Sequence, residues 1–403
     1  MYIDRTITSS VKKASGQFPV LLITGPRQVG KTTCLRHSSG PDRAYVTLDD
    51  PQARMLAKED PGLFLQRFAA PVLIDEIQYA PELLGHIKIA VDSHTDKGAY
   101  WLTGSQQFHL MANVSESLAG RVGILQLLGF STSELAGNAE GRPGFCPESF
   151  SPASDRPLGL MELYKRIWRG ALPAIAIDDE MDRDLFYGSY VQTYLQRDVK
   201  SLLNIGDEMS FMRFLRTAAG RTGQLLNVAN MARDADISSN TARKWLSVLE
   251  ASGLVYLLEP YHNNLTKRLV KAPKLYFLDT GLAAYLTQWS SPQTIEAGAM
   301  GGAFFETWVV AEVLKSYRHA GKSAPLYYYR DADQKEIDLL IVADGVIQPV
   351  EIKKTSAPSK KDVQHFSVLK KLKTPIGAGA VICMTNSPMP ITETVQALPA
   401  SRI

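Results

Sequence analysis

The chain has 403 residues, too many for one ordinary domain, so two or three are expected. Hydrophobic residues make up 45% and charged residues 21%, a balance that excludes a disordered or membrane-embedded chain and argues for a soluble globular protein. A formal charge of +3 is too weak alone to argue for nucleic acid, and three scattered cysteines (Cys34, Cys146, Cys383) give neither a disulfide framework nor a zinc spacing. That cysteine usage suits a reducing cytoplasm. The opening MYIDRTITSSVKK carries no apolar leader, so no membrane association is expected.

In chain order, Pro19-Val20-Leu21-Leu22-Ile23 reads as a buried strand. It leads into Gly25-Pro26-Arg27-Gln28-Val29-Gly30-Lys31-Thr32, which fits G-x-x-x-x-G-K-[ST] at every fixed position, and Thr33-Cys34-Leu35-Arg36 starts a helix. Strand, glycine loop and helix together make a phosphate cradle. Successive backbone N–H groups curl around phosphate oxygens, and the helix N-terminus adds partial positive charge. The pattern predicts ATP held by Gly25, Pro26, Arg27, Gln28, Val29, Gly30, Lys31, Thr32 and Thr33. Lys31 would reach the β- and γ-phosphates and Thr32 would hold Mg²⁺ through its hydroxyl.

Arg43 to Leu48 then alternates like a strand and stops at Asp49-Asp50-Pro51. Pro71-Val72-Leu73-Ile74-Asp75-Glu76 is a short apolar strand ending in two acids, which suits a central strand delivering carboxylates beside the phosphate loop. Asp75 would bind Mg²⁺ through water and Glu76 would polarise the attacking water. A further strand, Ala99 to Thr103, runs into Gly104-Ser105. Ser105 or Thr103 would sense the γ-phosphate or orient the water, although a helix N-cap explains Ser105 equally well. Arg121 follows a helical stretch and reads either as an arginine finger, in cis or toward a neighbouring subunit, or as a solvated surface residue. The strand Gly123 to Leu128 closes this part.

The combination GPRQVGKTT, YVTLDDP, PVLIDEIQ, WLTGSQQ and SLAGRV resembles the predicted ATPases of the AAA+ superfamily found in bacteria and archaea. The resemblance runs over essentially the whole chain and implies a nucleotide domain followed by a C-terminal region of largely uncharacterised function. It implies Lys31 and Thr32 on nucleotide and Mg²⁺, Asp75 and Glu76 at the Walker B position, a polar sensor near Ser105, and Arg121 as the finger.

Glycines and prolines from Gly137 to Pro157 mark a boundary. Helical patterns follow, the aromatic residues of Phe186 to Tyr194 reading as core. Val228 to Ala235, a short turn, Ser239 to Ser252 and the strand Leu254 to Leu258 read as a winged helix-turn-helix. Its second helix offers Asn240, Thr241, Arg243 and Lys244 outward, with Trp245, Leu246 and Leu249 inward. DNA contact and a protein-contact role both remain open. Asp279 is expected to cap a helix.

After Gly298 to Gly302, a helix with Phe305, Val309 and Val313 every four residues, and Glu306, Glu312 and Lys315 between them, reads as amphipathic. Glu336 to Val342 and Val346 to Lys353 pair as strands around the turn Asp344-Gly345. Asp338, Glu351 and Lys353 form D…E-x-K and resemble the PD-(D/E)XK nuclease superfamily, in which Glu306 would be the helix glutamate. Residues two apart on a strand share a face, so Glu351 and Lys353 point the same way. Asp338 and Glu351 would hold Mg²⁺ beside a phosphate, with Lys353 positioning or activating the attacking water, or the three would form a charged strand face with no chemistry.

The expected architecture is α/β. A P-loop NTPase sheet of the AAA+ type spans 1–137 and a Gly/Pro-rich linker 138–160. A helical and winged-helix region spans 161–297, and a restriction-nuclease-like domain 298–403. The expected activity is Mg²⁺-dependent ATP hydrolysis driving a conformational change, with DNA, another protein or a second copy of the chain as partner. An ATP-gated metal nuclease, and a nucleotide-controlled switch without turnover, are the alternatives.

Overall fold

The computed structural model describes residues 2–93, 96–104, 114, 117–152, 156–194, 208–262 and 272–403. Its first sheet contains β1 (Val20–Thr24), β2 (Ala44–Thr47), β3 (Val72–Asp75), β4 (Tyr100–Gly104) and β5 (Val122–Gln126), in the order β2-β3-β4-β1-β5. All four pairings are parallel. Both faces of such a sheet are covered, which is why β1, β3 and β4 are buried at every position and read as continuous apolar runs.

The period-2 pleat sorts these side chains into two cores. Val20, Leu22, Val72, Ile74 and Leu102 pack with the helices between residues 51 and 93. Leu21, Ile23, Leu73, Trp101 and Leu125 face the other way, into a cluster that continues without a break to Ile403. The nucleotide-type sheet therefore shares one core with the rest of the chain.

Asp50 and Asp60 start two of the flanking helices, each accepting a backbone N–H ahead of a proline-led first turn. A strand order that inserts β4 between β1 and β3 matters more for chemistry. Three strand ends, carrying Gly25, Thr103 and Asp75, meet side by side.

In the middle region the helix Val228–Ala235 ends at Asp236 in a left-handed conformation, and Ser238 caps the helix Ser239–Ala251. Trp245, Leu246 and Leu249 are buried, and Asn240, Arg243 and Lys244 are exposed. A three-stranded antiparallel sheet follows: β6 (Gln224–Leu225), β7 (Val255–Leu258) and β8 (Lys274–Phe277), in the order β6-β8-β7. Asp279 does cap its helix, accepting from Leu282 N at 2.7 Å, and also accepts from Tyr187 and from Ala171 N.

The C-terminal sheet contains β9 (Leu326–Arg330), β10 (Glu336–Ala343), β11 (Val346–Ile352), β12 (Gly379–Cys383), β13 (Met389–Pro390) and β14 (Val395–Pro399). Its order is β13-β14-β12-β11-β10-β9, antiparallel at both ends and parallel in the middle. Asp344 and Gly345 both have positive φ, as a tight hairpin between Ala343 and Val346 requires.

The helix Gly301–His319 departs from expectation. It is buried on nearly every side rather than amphipathic: Glu312, Lys315 and His319 all lie below 4% exposure. Its charges are neutralised internally. Lys315 Nζ donates to Glu312 Oε1 (2.7 Å) and to the Phe130 carbonyl (2.8 Å), and Glu312 Oε2 accepts from Thr132 N (2.7 Å). Burial of Glu312 and Lys315 is tolerated because the two partner each other and nearby backbone groups.

Candidate functional site

The phosphate loop joins β1 to the helix Lys31–Ser38. Gly25 has φ +143°, and a Cβ there would lie 2.0 Å from the Leu127 carbonyl oxygen, so no other residue fits. Gly30 has φ +87° at the helix entry. Lys31 is buried, its ammonium donating to the carbonyls of Gly25 (3.0 Å) and Pro26 (2.8 Å). The lysine thus lies folded across the loop it would serve.

Asp75 gathers the strand ends. Its Oδ1 accepts from Thr32 Oγ1 at 2.6 Å and from the fully buried Thr103, and its Oδ2 accepts from Tyr45 at 3.3 Å. Thr103 Oγ1 in turn accepts from Glu76 N at 3.0 Å. Glu76 stands just past β3 with φ +58°, an uncommon backbone for a residue with a Cβ, and its carboxylate accepts from Gln78. The turn carries the glutamate side chain out of the strand and over the loop. A cleft of about 250 Å³ lies between Gln28, Lys31, Thr32 and Glu76 on one side and Tyr190 and Thr193 of the helix Arg183–Tyr194 on the other.

Mg²⁺ prefers hard oxygen donors and keeps part of its water shell. A helix-start hydroxyl beside a strand-end carboxylate, Thr32 and Asp75, fits that demand.

The structure brings together the loop, Thr32, Asp75, Glu76 and the candidate Thr103. Ser105 lies outside the described residues. Arg121 is not part of this cluster. Its carbonyl accepts from Val20 N at 3.2 Å, at the start of β1, whereas the loop follows the end of β1. Five strand residues at about 3.3 Å each put roughly 16 Å between them. Arg121 instead pairs with the half-exposed Asp92.

Residues that sequence reasoning missed hold the loop from behind. Arg5 is buried, donating through Nη1 to the Val29 carbonyl (2.8 Å) and through Nη2 to that of Leu128 (2.7 Å). Its counter-ion Glu134 (3.2 Å) also meets His319 Nδ1 at 3.2 Å. Burial alone would raise the Glu134 carboxyl, but the His319 and Arg5 charges outweigh it and hold the group well below the carboxylate range. Pro26 meets the middle region directly, since a Cβ on Gly253 would lie 2.9 Å from Pro26 Cγ.

The C-terminal acids also converge, but around ammonium groups. Continuing the register that pairs Leu339 with Val350 sets Asp338 opposite Glu351. Lys353 Nζ lies 2.7 Å from Glu351 Oε1 and 3.6 Å from Asp338 Oδ2. A second lysine, Lys274 of β8, lies 3.1 Å from Glu306, 2.6 Å from Glu336 and 3.9 Å from Asp338. Among the described residues no group of three His, Cys, Asp or Glu side chains is placed to hold a metal. The residues present do not fit a divalent ion at this position, because Lys274 stands among the carboxylates that would bind it.

Three family models match parts of the chain. An AAA domain family matches residues 17–136, a domain of unknown function (DUF8612) 161–293, and another (DUF4143) 301–403. Two mycobacterial proteins, the uncharacterized protein Rv2008c of Mycobacterium tuberculosis and the uncharacterized protein Mb2031c of Mycobacterium bovis, are each 30% identical over 403 residues, 99% of this chain and 84% of theirs. Among solved structures, the Walker-type ATPase PABY2304 of Pyrococcus abyssi aligns with a TM-score of 0.44 at 15% identity, over 71% of this chain and 96% of that one. A Thermotoga maritima RuvB variant aligns at 0.30 and 18%, over 63% and 90%. With an AAA-type P-loop domain at its head and these two relatives matched almost end to end, the chain belongs to the same family as the mycobacterial proteins.

Proposed function

We propose that the chain binds Mg²⁺-ATP at Gly25 to Thr33 and hydrolyses it, turnover driving a change in how the middle region meets the loop. One observation carries this reading: Thr32 and Thr103 converge on Asp75 while Lys31 and Glu76 border the same cleft. Lys31 exchanges the Gly25 and Pro26 carbonyls for phosphate oxygens, which carry full charge and bind an ammonium more strongly. Thr32 and Asp75 would hold Mg²⁺, which would neutralise charge on the phosphates. Glu76 orients and polarises the attacking water. Thr103 fixes the Asp75 carboxylate and the Glu76 amide together, so that metal ligand and water-orienting residue keep one spacing.

Tyr190 and Thr193 on the far wall, and Pro26 against Gly253, give the nucleotide site two contacts with the middle region. Those contacts are the route by which turnover moves that region. Asn240, Arg243 and Lys244 are exposed there, and DNA is the partner class tested first. A second copy of the chain is the other partner, because Arg121 reaches a nucleotide only from a neighbouring subunit.

The test is ATP hydrolysis and binding by wild type, Lys31→Ala and Glu76→Gln, with and without duplex DNA. Wild type turns over, Glu76→Gln binds ATP without turnover, and Lys31→Ala does neither. Binding without turnover by wild type under every condition would leave a nucleotide-controlled switch instead.

A further inference from the structure

The C-terminal acid cluster carries an inference independent of the P-loop reading. Four carboxylates from three elements meet there: Glu306 from the helix Gly301–His319, Glu336 and Asp338 from β10, and Glu351 from β11. Repulsion among them would open the site unless cations intervene. The cations present are side chains. Lys353 serves Glu351 and Asp338, and Arg330 lies 3.4 Å from Glu336. Lys274 serves Glu306, Glu336 and Asp338, its side chain only 3% exposed.

Lys274 is foreign to this sheet. It belongs to β8, the central strand of the middle three-stranded sheet. The arrangement around it is complete: Tyr276, two residues along β8, donates to the same Glu306 oxygen at 2.6 Å. Alternation along a strand puts Lys274 and Tyr276 on one face, so β8 engages the helix glutamate with two donors. The two regions are also stitched nearby by backbone bonds, Tyr261 N to the Tyr328 carbonyl (2.7 Å) and Tyr328 N to that of Glu259 (3.0 Å).

We propose that Lys274 is a built-in counter-cation that takes the place of a divalent metal in the C-terminal acid cluster, making this cluster an ionic joint between the middle region and the C-terminal sheet. Two features separate a joint from a metal centre. An ammonium among three carboxylates leaves no position at which those same oxygens can close on a small dication. The ammonium is also covalently tied to β8, so its ion pairs link the C-terminal acids to the middle sheet. One carboxylate atom, Glu351 Oε2, is buried with no hydrogen-bond partner, on a residue 6% exposed. That orphan oxygen lies beside Asp338 and is the ligand that a dication would recruit first once Lys274 is gone.

The experiment uses the full chain without nucleotide and counts bound Mn²⁺ by electron paramagnetic resonance. Wild type and Asp338→Asn are expected to bind the same number of ions, because Asp338 holds none. Lys274→Met keeps an unbranched side chain, one atom shorter, and removes its charge. It is expected to gain one Mn²⁺ site per chain, which the added change Asp338→Asn removes again. A Mn²⁺ site in wild type that Asp338→Asn abolishes would overturn the proposal. So would a folded Lys274→Met protein that gains none. Should Lys274→Met fail to fold, the wild-type and Asp338→Asn counts decide by themselves.

Discussion

Arg5 donates to the carbonyl oxygen of Val29, inside the phosphate loop, at 2.8 Å. In a trans peptide the carbonyl and the following N–H point in opposite directions, so holding Val29 C=O from behind turns the Gly30 N–H the other way. A guanidinium remote in sequence thereby sets one of the donors that a phosphate needs. Its own position is set by Glu134, and Glu134 is shared with His319, the last residue of the helix Gly301–His319. Arg5→Met leaves Glu134 buried beside fewer cations, and such breakage costs about 3–5 kcal/mol. Arg5→Lys keeps the charge but not the fork that reaches two carbonyls at once. It is expected to fold, and to bind ATP about tenfold more weakly, equivalent to about 1.4 kcal/mol. Titration with a fluorescent ATP analogue, beside a denaturation curve, checks both. Unchanged affinity in folded Arg5→Lys would show that the loop holds its shape without the fork.

Thr103 makes a different demand. Its hydroxyl bonds both Asp75 and the Glu76 amide, and it does not itself line the cleft. Thr103→Val preserves shape and deletes only the hydroxyl. The expected result is a kcat lower by about 10–100-fold, since each factor of ten is about 1.36 kcal/mol of barrier, with ATP affinity held within about twofold. Single-turnover hydrolysis and equilibrium binding separate the two. A fall in affinity equal to the fall in rate would assign the residue to binding rather than to alignment.

The part of this site that was legible in the sequence is the part built locally. Gly25 to Thr32 is contiguous, and its torsional needs are written in the positions of its glycines. Asp75 and Glu76 end an apolar run, which signals a buried strand edge. Asp344-Gly345 declares its hairpin for the same reason. Arg5, Glu134 and Lys274 gave no such signal, because a buried charge looks like a surface charge until its partner is known. Glu312 and Lys315 show how that misleads: their spacing suggested a solvated helix face, and mutual pairing buried them instead.

Arg121 marks a related gap. That it precedes a strand is legible; that β5 runs parallel beside β1, with its start at the far edge from the loop, is not. The geometry makes a definite demand on dilute, unassembled chain. Arg121→Ala should bind ATP within about twofold of wild type, whereas Lys31→Ala should bind none, because screened charges beyond about 10 Å contribute little. A nucleotide-affinity series at rising protein concentration checks this. A large loss already in the dilute chain would place the arginine in its own subunit's site.

The pH dependence of stability has its clearest source at Glu351. Burial raises its carboxyl, Asp338 opposite raises it further, and Lys353 only partly offsets them, leaving the group pushed up to about 8. In the unfolded chain a glutamate titrates near 4.3, so between about 4.3 and about 8 the folded state holds a proton that the unfolded state has released. Folding then takes up protons, and stability falls as pH rises through that window. Below it both states are protonated and the penalty vanishes; above it both are ionised and the penalty is complete. Glu351→Gln carries a neutral amide at every pH and escapes this loss. Its melting temperature relative to wild type should therefore climb from pH 5 to pH 8.5, by several degrees in all, since about 1 kcal/mol moves a large domain by roughly 2–4 °C. Paired thermal melts across that range measure it. A difference that stays flat with pH would mean that Lys353 keeps Glu351 ionised throughout, and that the joint around Lys274 carries one more negative charge than burial allows.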